Sequence, residues 1–226
     1  MNPWTVLGTA EIPNGGGELK LSQRGDEFSI RLSGVRGELM NSRVHNSEEV
    51  LAELGCVGLK SADKAQVLVG GLGMGFTLAA ALKAVSASST VKVAELIPAV
   101  VEWNKGPLGE CAGHPLEDGR AQVHIGDVAE LFSSNKPAFD AILLDVDNGP
   151  EGLTHTDNHG LYSITGLALI GQSLRAGGML AIWSAFPDAA FLKRLKKSGF
   201  NATAQTVRAR VGKGSRHTIF LAKKPK

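Results

Sequence analysis

From Gln66 onward, short apolar runs alternate with helical segments, and this alternation constrains the fold more than any other feature of the chain. The run QVLVGG, which begins at Gln66, has no polar alternation, as expected for a strand buried on both faces. Further strands are predicted at TVKVAEL, AQVHIGD, FDAILLDVD and GMLAIWSA, with helices between them. Because strands that alternate with helices form parallel β–α–β units, the pattern predicts an α/β protein with a doubly wound, mostly parallel sheet.

Both ends of the chain show antiparallel patterns. From Trp4 to about Met40, short alternating runs are separated by Gly, Asn and Asp, which is typical of hairpins. A helix with Ser47 as its N-cap follows. The segments TAQTVRARV and RHTIFLA predict a C-terminal antiparallel hairpin at one edge of the sheet. We therefore expect a small β-rich N-terminal domain with its helix in residues 1–62 and a sheet domain in residues 63–226.

Composition argues against several classes of partner. The 24 Lys and Arg residues nearly balance the 22 Asp and Glu residues, so the net charge of +2 gives no electrostatic argument for nucleic acid. No apolar stretch reaches the roughly 18 residues of a membrane helix, and the N-terminus lacks the pattern of a secretory signal. Cys56 and Cys111 are too few for a disulfide framework or a four-thiolate zinc site. We expect a cytoplasmic protein without nucleic acid or membrane as a partner.

Residues at the carboxyl ends of the predicted parallel strands are the candidates for ligand binding. The loop after the first of these strands consists of Gly70, Gly71, Leu72, Gly73, Met74 and Gly75. It precedes a helix whose N-terminus offers free N–H groups. Its G-x-G-x-G spacing fits the nucleoside-binding loop of S-adenosylmethionine enzymes better than the dinucleotide fingerprint, whose third glycine would fall on Phe76. A tight turn without a ligand is the alternative interpretation.

Acidic residues follow the next two strands. Glu95 can accept hydrogen bonds from both hydroxyls of a ribose, since a carboxylate offers two acceptor oxygens. Asp127 is placed to accept from the exocyclic amine of an adenine, and the adjoining Leu96 and Val128 complete the predicted contacts. Each acid alone is more often a surface charge, but three adenosine-compatible features after three successive strands favour an adenosine site. The predicted cofactor is S-adenosylmethionine or its decarboxylated form.

Two acids at the end of the fourth strand, Asp145 and Asp147, are the candidate catalytic residues. Their carboxylates would lie beside the reacting sulfonium, where they could hold an amine acceptor, act as a base or orient the cofactor. Asp145 is therefore also counted among the cofactor contacts. The alternative is an Asx-turn that closes the strand and has no chemical role.

Residues beyond these acids are candidates for the acceptor side of the site. His155, Asp157 and His159 form an H-x-D-x-H pattern, for which a lid or acceptor-binding loop is favoured over a metal site, and we predict no metal. Trp183 and Phe186 follow the fifth strand and could wall an acceptor pocket, with core packing as the alternative.

Taken together, these segments resemble the spermidine synthase family of S-adenosylmethionine-dependent transferases. The matching parts are VLVGGLGMGFTLAAALK, VKVAEL, GDVAELF, FDAILLDVDNGPEG, LYS and LRAGGMLAIWSA. The resemblance implies a Rossmann-like core behind a small N-terminal β domain, with cofactor contacts from the Gly70–Gly75 loop, Glu95 and Asp127. It also implies that Asp145 lies at the reacting centre and that the protein forms a homodimer through its N-terminal strands.

Departures from the family's pattern concern the acceptor. Aminopropyl-transferring members carry an aspartate inside the glycine loop, where this chain has Met74, and an acid two residues after the ribose-binding glutamate, where it has Ile97. Their Tyr-His-Glu segment has no clear counterpart, although His45 and Glu48 or Glu49 lie nearby. Since a buried protonated amine needs carboxylate partners, we expect methyl transfer to a small-molecule acceptor. Aminopropyl transfer to a polyamine or another amine is the first alternative, and a non-catalytic adenosine-binding protein is the second.

Overall fold

The computed structural model describes residues 3–132, 137–146 and 158–226. Its strands are β1 (Thr5–Ile12), β2 (Gly17–Arg24), β3 (Glu27–Leu32), β4 (Met40–Asn41), β5 (Gln66–Gly70), β6 (Thr90–Glu95), β7 (Ala121–Ile125), β8 (Phe139–Leu144), β9 (Leu174–Ser184), β10 (Asn201–Arg210) and β11 (Lys213–Lys223). Its α-helices are α1 (Asn46–Gly55), α2 (Phe76–Ala84), α3 (Pro98–Lys105), α4 (Asn158–Leu161), α5 (Ile164–Ser173) and α6 (Ala189–Lys197). In the part of the chain so described, no helix is long and apolar enough to cross a membrane.

The larger sheet has seven strands in the order β10-β11-β9-β8-β5-β6-β7. Strands β5 to β9 pair in parallel, and β11 pairs antiparallel with both β9 and β10. The predicted doubly wound sheet and its terminal hairpin are thus confirmed. Strand order reverses beside β5, because the chain builds outward to β6 and β7 and then returns to β8, and such a reversal is where ligands bind in open α/β sheets.

Both faces of this sheet are covered, which explains why its central strands read as uninterrupted apolar runs. Alternate residues of a strand point to opposite faces. Val67 and Leu143 pack on one face with α1, α2 and α3, whereas Leu68 and Ile142 pack on the other with α5 and α6. All four of these side chains are buried. The burial supplies the main hydrophobic stabilisation of the sheet.

The N-terminal segment forms a separate antiparallel sheet of four strands in the order β1-β2-β3-β4. Leu19 and Leu21 on β2 and Phe28 and Ile30 on β3 point inward. They belong to the same hydrophobic cluster as one face of the larger sheet. The small sheet therefore packs against the α/β core and brings β4 toward the glycine loop.

Helix α1 begins two residues earlier than the sequence indicates and is not capped by Ser47. The N-cap is His45, whereas Ser47 is buried and its hydroxyl donates to Glu48 Oε2 at 2.5 Å. Gly55, at the other end of α1, lies directly against Leu143 of β8, where a Cβ atom would overlap that side chain. Helix α1 therefore packs on the larger sheet, and the domain division between residues 62 and 63 stays a prediction.

Candidate functional site

The glycine loop between β5 and α2 has a backbone that only glycine adopts without strain. Gly71, Gly73 and Gly75 have φ values of +89°, +51° and +86°, all in the left-handed region. A Cβ atom at Gly71 would also overlap the backbone carbonyl oxygen of Asp145, which follows the adjacent strand β8. The G-x-G-x-G spacing seen in the sequence therefore has a conformational cause, and it draws the ends of β5 and β8 together.

Two side chains that the sequence analysis did not select hold this loop in place. Asn104 on α3 is buried, and its Nδ2 donates to the carbonyl of Gly73 at 2.8 Å and to that of Val100 at 2.9 Å. Met40 on β4 lies on the other side, with its Sδ atom 2.9 Å from where a Cβ of Gly73 would be. Neither residue belongs to a motif, so only the packing of α3 and β4 reveals them.

Several predicted cofactor contacts have side chains that point into the core. Leu72, Met74 and Val128 are 3%, 4% and 6% exposed, and each packs in a hydrophobic cluster. Val128 also lies 3.2 Å from where a Cβ of Gly70 would be. These positions therefore offer a ligand their backbone rather than their side chains. Met74 stands where aminopropyl-transferring spermidine synthases carry an aspartate, and its apolar side chain suits this buried position.

Glu95, at the end of β6, ties the glycine loop to the start of α3. Its Oε2 accepts from the backbone N–H of Leu72 and its Oε1 from that of Ile97, each at 2.9 Å. Burial raises the pKa of Glu95, while the N–H groups of Ile97, Leu72 and their neighbours act in the opposite direction. The backbone N–H groups of Leu72, Gly73, Leu96 and Ile97 therefore surround the Glu95 carboxylate and hold it between the glycine loop and α3.

The next residues toward the edge of the sheet are accessible. Leu96 is 36% exposed and Asp127 is exposed. Asp127 Oδ1 accepts from the N–H of Ala129 at 2.8 Å, which fixes the carboxylate at the start of a short 3-10 helix over Val128–Phe132. Since β6 and β7 are parallel neighbours, with Glu95 paired to Ile125, the residues that follow them lie side by side. Glu95, Leu96 and Asp127 therefore line one continuous edge.

Asp145, directly after β8, is held by the start of α2. Thr77 Oγ1 donates to Asp145 Oδ2 at 2.6 Å, and the backbone N–H of Asp145 donates to the carbonyl of Gly70 at 2.9 Å. Burial raises the pKa of Asp145 to about 6, against the opposing effect of the Thr77 hydrogen bond. A carboxyl group with such a pKa can both hold and release a proton near neutral pH.

Glu48, in the first turn of α1, is a second acid at this position. Burial, followed by the charge of Asp145, raises the pKa of Glu48 to about 7. His45, just before α1, stacks on Phe76 with ring centroids 4.3 Å apart, and so anchors this helix end over the start of α2. In the sequence, Glu48 is identifiable only as a neighbour of a missing motif, because nothing local connects it to Asp145.

Some of the residues predicted for the acceptor side lie outside the part of the chain that the structure describes. Asp147, His155 and Asp157 lie outside the described residues, as does the side chain of His159. Within the described ranges, no group of three or more His, Cys, Asp or Glu residues could hold a metal ion. Phe186 is 71% exposed.

Trp183 lies within β9, one residue before its end, and not after the strand as predicted from the sequence. It is partly buried and packs with His217 of β11 at a centroid distance of 4.7 Å. The ring planes are tilted by 35°. This pair lies next to Asp145 along the edge of the sheet, since the ends of β8 and β9 are adjacent.

Solved structures with the same fold include spermidine synthases. The spermidine synthase from Thermotoga maritima matches with a TM-score of 0.76 and 19% identity, over 97% of this chain and 72% of that chain. A spermidine synthase in complex with the transition state analogue AdoDATO gives 0.75 and 18% over 97% and 72%. A probable spermidine synthase from Corynebacterium glutamicum gives 0.63 and 17% over 97% and 80%. No protein-family model and no curated protein matches the sequence. The chain thus has a spermidine synthase-like fold.

Proposed function

We propose that this protein is a transferase that moves the aminopropyl group of decarboxylated S-adenosylmethionine to an amine. The observation that carries the proposal is the pairing of Glu48 with Asp145. A protonated amine is costly to bury without carboxylate partners. An acid whose pKa is raised by burial and by the charge of a second acid, as that of Glu48 is by Asp145, gains from a cation between the two. Glu48 would thus take over the role of the acid that the glycine loop lacks at Met74.

The adenosine half of the proposed site is the edge formed by the glycine loop, Glu95, Leu96 and Asp127. The residues fit a nucleoside, because Glu95 places a carboxylate beside the glycine loop and Leu96 offers an exposed apolar surface next to it. Asp127 would accept from the adenine amine. One of the structures with this fold is a complex with the transition state analogue AdoDATO, which supports the same class of donor.

The acceptor half of the proposed site is the pair Asp145 and Glu48. When bound, the donor supplies a carbon activated by its sulfonium and a neutral thioether as leaving group. Asp145 and Glu48 hold the amine by charge, and Thr77 fixes the Asp145 carboxylate through its hydrogen bond of 2.6 Å. The bound ammonium group has no lone pair, so it must first give a proton to a base, and Asp145 is the base that receives it. The free amine then forms the C–N bond as the C–S bond of the donor breaks and methylthioadenosine leaves. Most of the rate enhancement would come from alignment of the two reactants.

Methyl transfer is the second candidate function. It is favoured by the apolar residue Met74 inside the glycine loop, which is buried in the core and offers the acceptor no charge. The carboxylate pair and the fold of the spermidine synthases both favour aminopropyl transfer. Assembly as a homodimer and a cytoplasmic location remain predictions.

The nucleoside coproduct distinguishes these functions. Purified protein is incubated with a mixture of amines and with either donor, and the coproduct is identified by mass spectrometry. Methylthioadenosine formed from decarboxylated S-adenosylmethionine supports the proposal, and S-adenosylhomocysteine formed from S-adenosylmethionine supports methyl transfer. Nucleoside binding without either product would favour a non-catalytic adenosine-binding protein.

A pair of aspartate variants tests the role of Asp145. We expect Asp145→Asn to lower turnover by about a hundredfold or more while nucleoside binding persists. Asp140→Asn is the matched control, since Asp140 lies on the same strand and binds Gln66 N–H and Arg175 at 2.7 and 2.6 Å, away from the candidate site. Equal turnover in the two variants would contradict the proposed role.

A further inference from the structure

Trp183 and His217 continue the candidate site beyond Asp145. In the parallel register Leu144 pairs with Ile182, so the next residues, Asp145 and Trp183, are neighbours at the carboxyl ends of β8 and β9. Adjacent strands lie about 4.8 Å apart. Trp183 in turn pairs with Ile219 of β11, and His217 lies two residues before Ile219. Since residues two apart share a face, Asp145, Trp183 and His217 form a row along one edge of the sheet.

Trp183 and His217 lie on the opposite side of Asp145 from the adenosine half of the site. The glycine loop and Glu95 follow β5 and β6, on one side of Asp145, whereas Trp183 and His217 belong to β9 and β11, on the other. A molecule whose amine lies between Asp145 and Glu48 therefore meets the two rings with its remote end.

Each ring presents a buried polar atom. Trp183 Nε1 and His217 Nδ1 have no hydrogen-bond partner among the residues that the structure describes. A buried polar atom without a partner is unfavourable by roughly 1–3 kcal/mol. Two such atoms on rings that touch each other indicate that a group of a ligand, or a water molecule, forms the missing hydrogen bonds.

The two atoms differ in hydrogen-bonding character. The indole Nε1–H of Trp183 can only donate. Burial lowers the pKa of His217, which favours the neutral ring. A neutral imidazole has one N–H donor and one acceptor nitrogen, so Nδ1 takes either role according to the tautomer.

We infer that the acceptor is an amino alcohol, with its amine between Asp145 and Glu48 and its hydroxyl group between Trp183 and His217. A hydroxyl accepts from the indole N–H and can at the same time donate to, or accept from, the imidazole nitrogen, so it fits either tautomer of His217. An ammonium group can only donate, a carboxylate can only accept, and a methyl group does neither. This inference rests on the proposed function and adds the chemical class of the acceptor.

Competition among acceptors of matched length tests the inference. Ethanolamine, aminopropanol and aminobutanol are compared with diamines and alkylamines of the same lengths, using decarboxylated S-adenosylmethionine as donor. We expect the best amino alcohol to exceed its matched diamine and alkylamine in kcat/KM by roughly tenfold or more, because only the hydroxyl forms hydrogen bonds with both rings. A diamine preferred over the amino alcohols would overturn the inference while the proposed function stood.

The Trp183→Phe variant isolates the indole N–H, since the ring is kept and only the donor is lost. We expect the preference for the amino alcohol over the alkylamine to fall several-fold in this variant. Trp103→Phe is the control, because Trp103 lies on α3 beside Gly8 of β1 and away from the row. A preference that survives in Trp183→Phe would also overturn the inference.

A binding measurement separates the inference from the proposed function. The indole N–H resonance of Trp183 is followed by NMR in protein saturated with methylthioadenosine, and aminobutanol, putrescine or butylamine is then added. We expect a downfield shift with aminobutanol alone, and no shift with aminobutanol would overturn the inference. A shift without turnover of any amine would leave the hydroxyl site standing and refute the proposed transfer.

Discussion

The charge of Asp145, at the end of β8, raises the pKa of Glu48, in the first turn of α1. Burial raises the pKa values of both groups. The pair therefore holds protons at a pH at which ordinary carboxyl groups have lost them. Such an arrangement is unfavourable for the folded protein alone and favourable once a cation lies between the acids.

Replacement of Glu48 by Gln should stabilise the protein at alkaline pH. The pKa of Glu48 rises from 4.5 to about 7 in the folded state. The folded protein therefore binds a proton that the unfolded chain releases, and its stability falls as pH rises through this interval. We expect Glu48→Gln to be more stable than the wild type by about 1–3 kcal/mol near pH 8. The difference should vanish near pH 4.

Urea denaturation at a series of pH values measures this effect. Glu53→Gln is the control, since Glu53 is exposed on the same helix. If the two variants followed the same pH dependence, the assignment of the raised pKa to Glu48 would be wrong.

Removal of the Thr77 hydroxyl should shift the pH dependence of turnover upward. Its hydrogen bond to Asp145 lowers the pKa of that carboxyl, so Thr77→Val is expected to raise it further. Because the base must be unprotonated, activity should rise with pH, with its midpoint about 0.5–1 pH unit higher in the variant. Thr77→Ser keeps the hydroxyl and should keep the wild-type profile. An unshifted profile in Thr77→Val would argue against Asp145 as the base.

Substitution of Gly71 should disrupt the loop for two separable reasons. Gly71→Ala forces an L-residue into φ of +89° and brings its Cβ into the carbonyl oxygen of Asp145. Gly58→Ala has a comparable φ of +84° but nothing within 4 Å of its Cβ. We expect the Gly71 variant to lose about 2–4 kcal/mol of stability and the Gly58 variant about 1 kcal/mol. Thermal unfolding of both proteins checks the difference, and equal losses would show that the contact is relieved without cost.

Glu95→Gln should weaken nucleoside binding more than the replacement of an exposed acid does. The amide would turn an N–H group toward either Leu72 or Ile97, whose N–H groups now donate to the carboxylate. We expect the affinity for methylthioadenosine to fall at least tenfold in titration calorimetry. Glu102→Gln is the matched control, because Glu102 is exposed on α3 and pairs only with Lys105 among the described residues. Similar affinities in the two variants would exclude Glu95 from the site.

Asn104→Ala should loosen the glycine loop without touching the nucleoside. The variant leaves the carbonyl of Gly73 without the donor that now lies 2.8 Å away. A loss of about 1–3 kcal/mol is expected from the unpaired buried groups. Faster hydrogen exchange in the loop, measured by mass spectrometry, would locate the effect. Unchanged exchange there would mean that the loop is held by other contacts, such as that of Met40.

Much of the fold and part of the site could be read from local patterns. The buried strands of the larger sheet were recognisable in the sequence as apolar runs, because they are covered on both faces. The loop from Gly70 to Gly75 was identifiable because its positive φ angles demand glycine. The cap of α1 was wrongly assigned to Ser47, since a serine at a helix start can also be buried and bond to its neighbour, here Glu48.

The sequence by itself determined the α/β class, the order of the strands along the chain and the acids that follow them, because these depend on periodicity and on residues within one segment. The tertiary structure alone decided which distant residues meet. Glu48 reaches Asp145 because α1 packs over the larger sheet, and His217 reaches Trp183 because β11 pairs with β9. Local sequence patterns do not predict such contacts, because the contacts arise only when separate segments bury their apolar faces together.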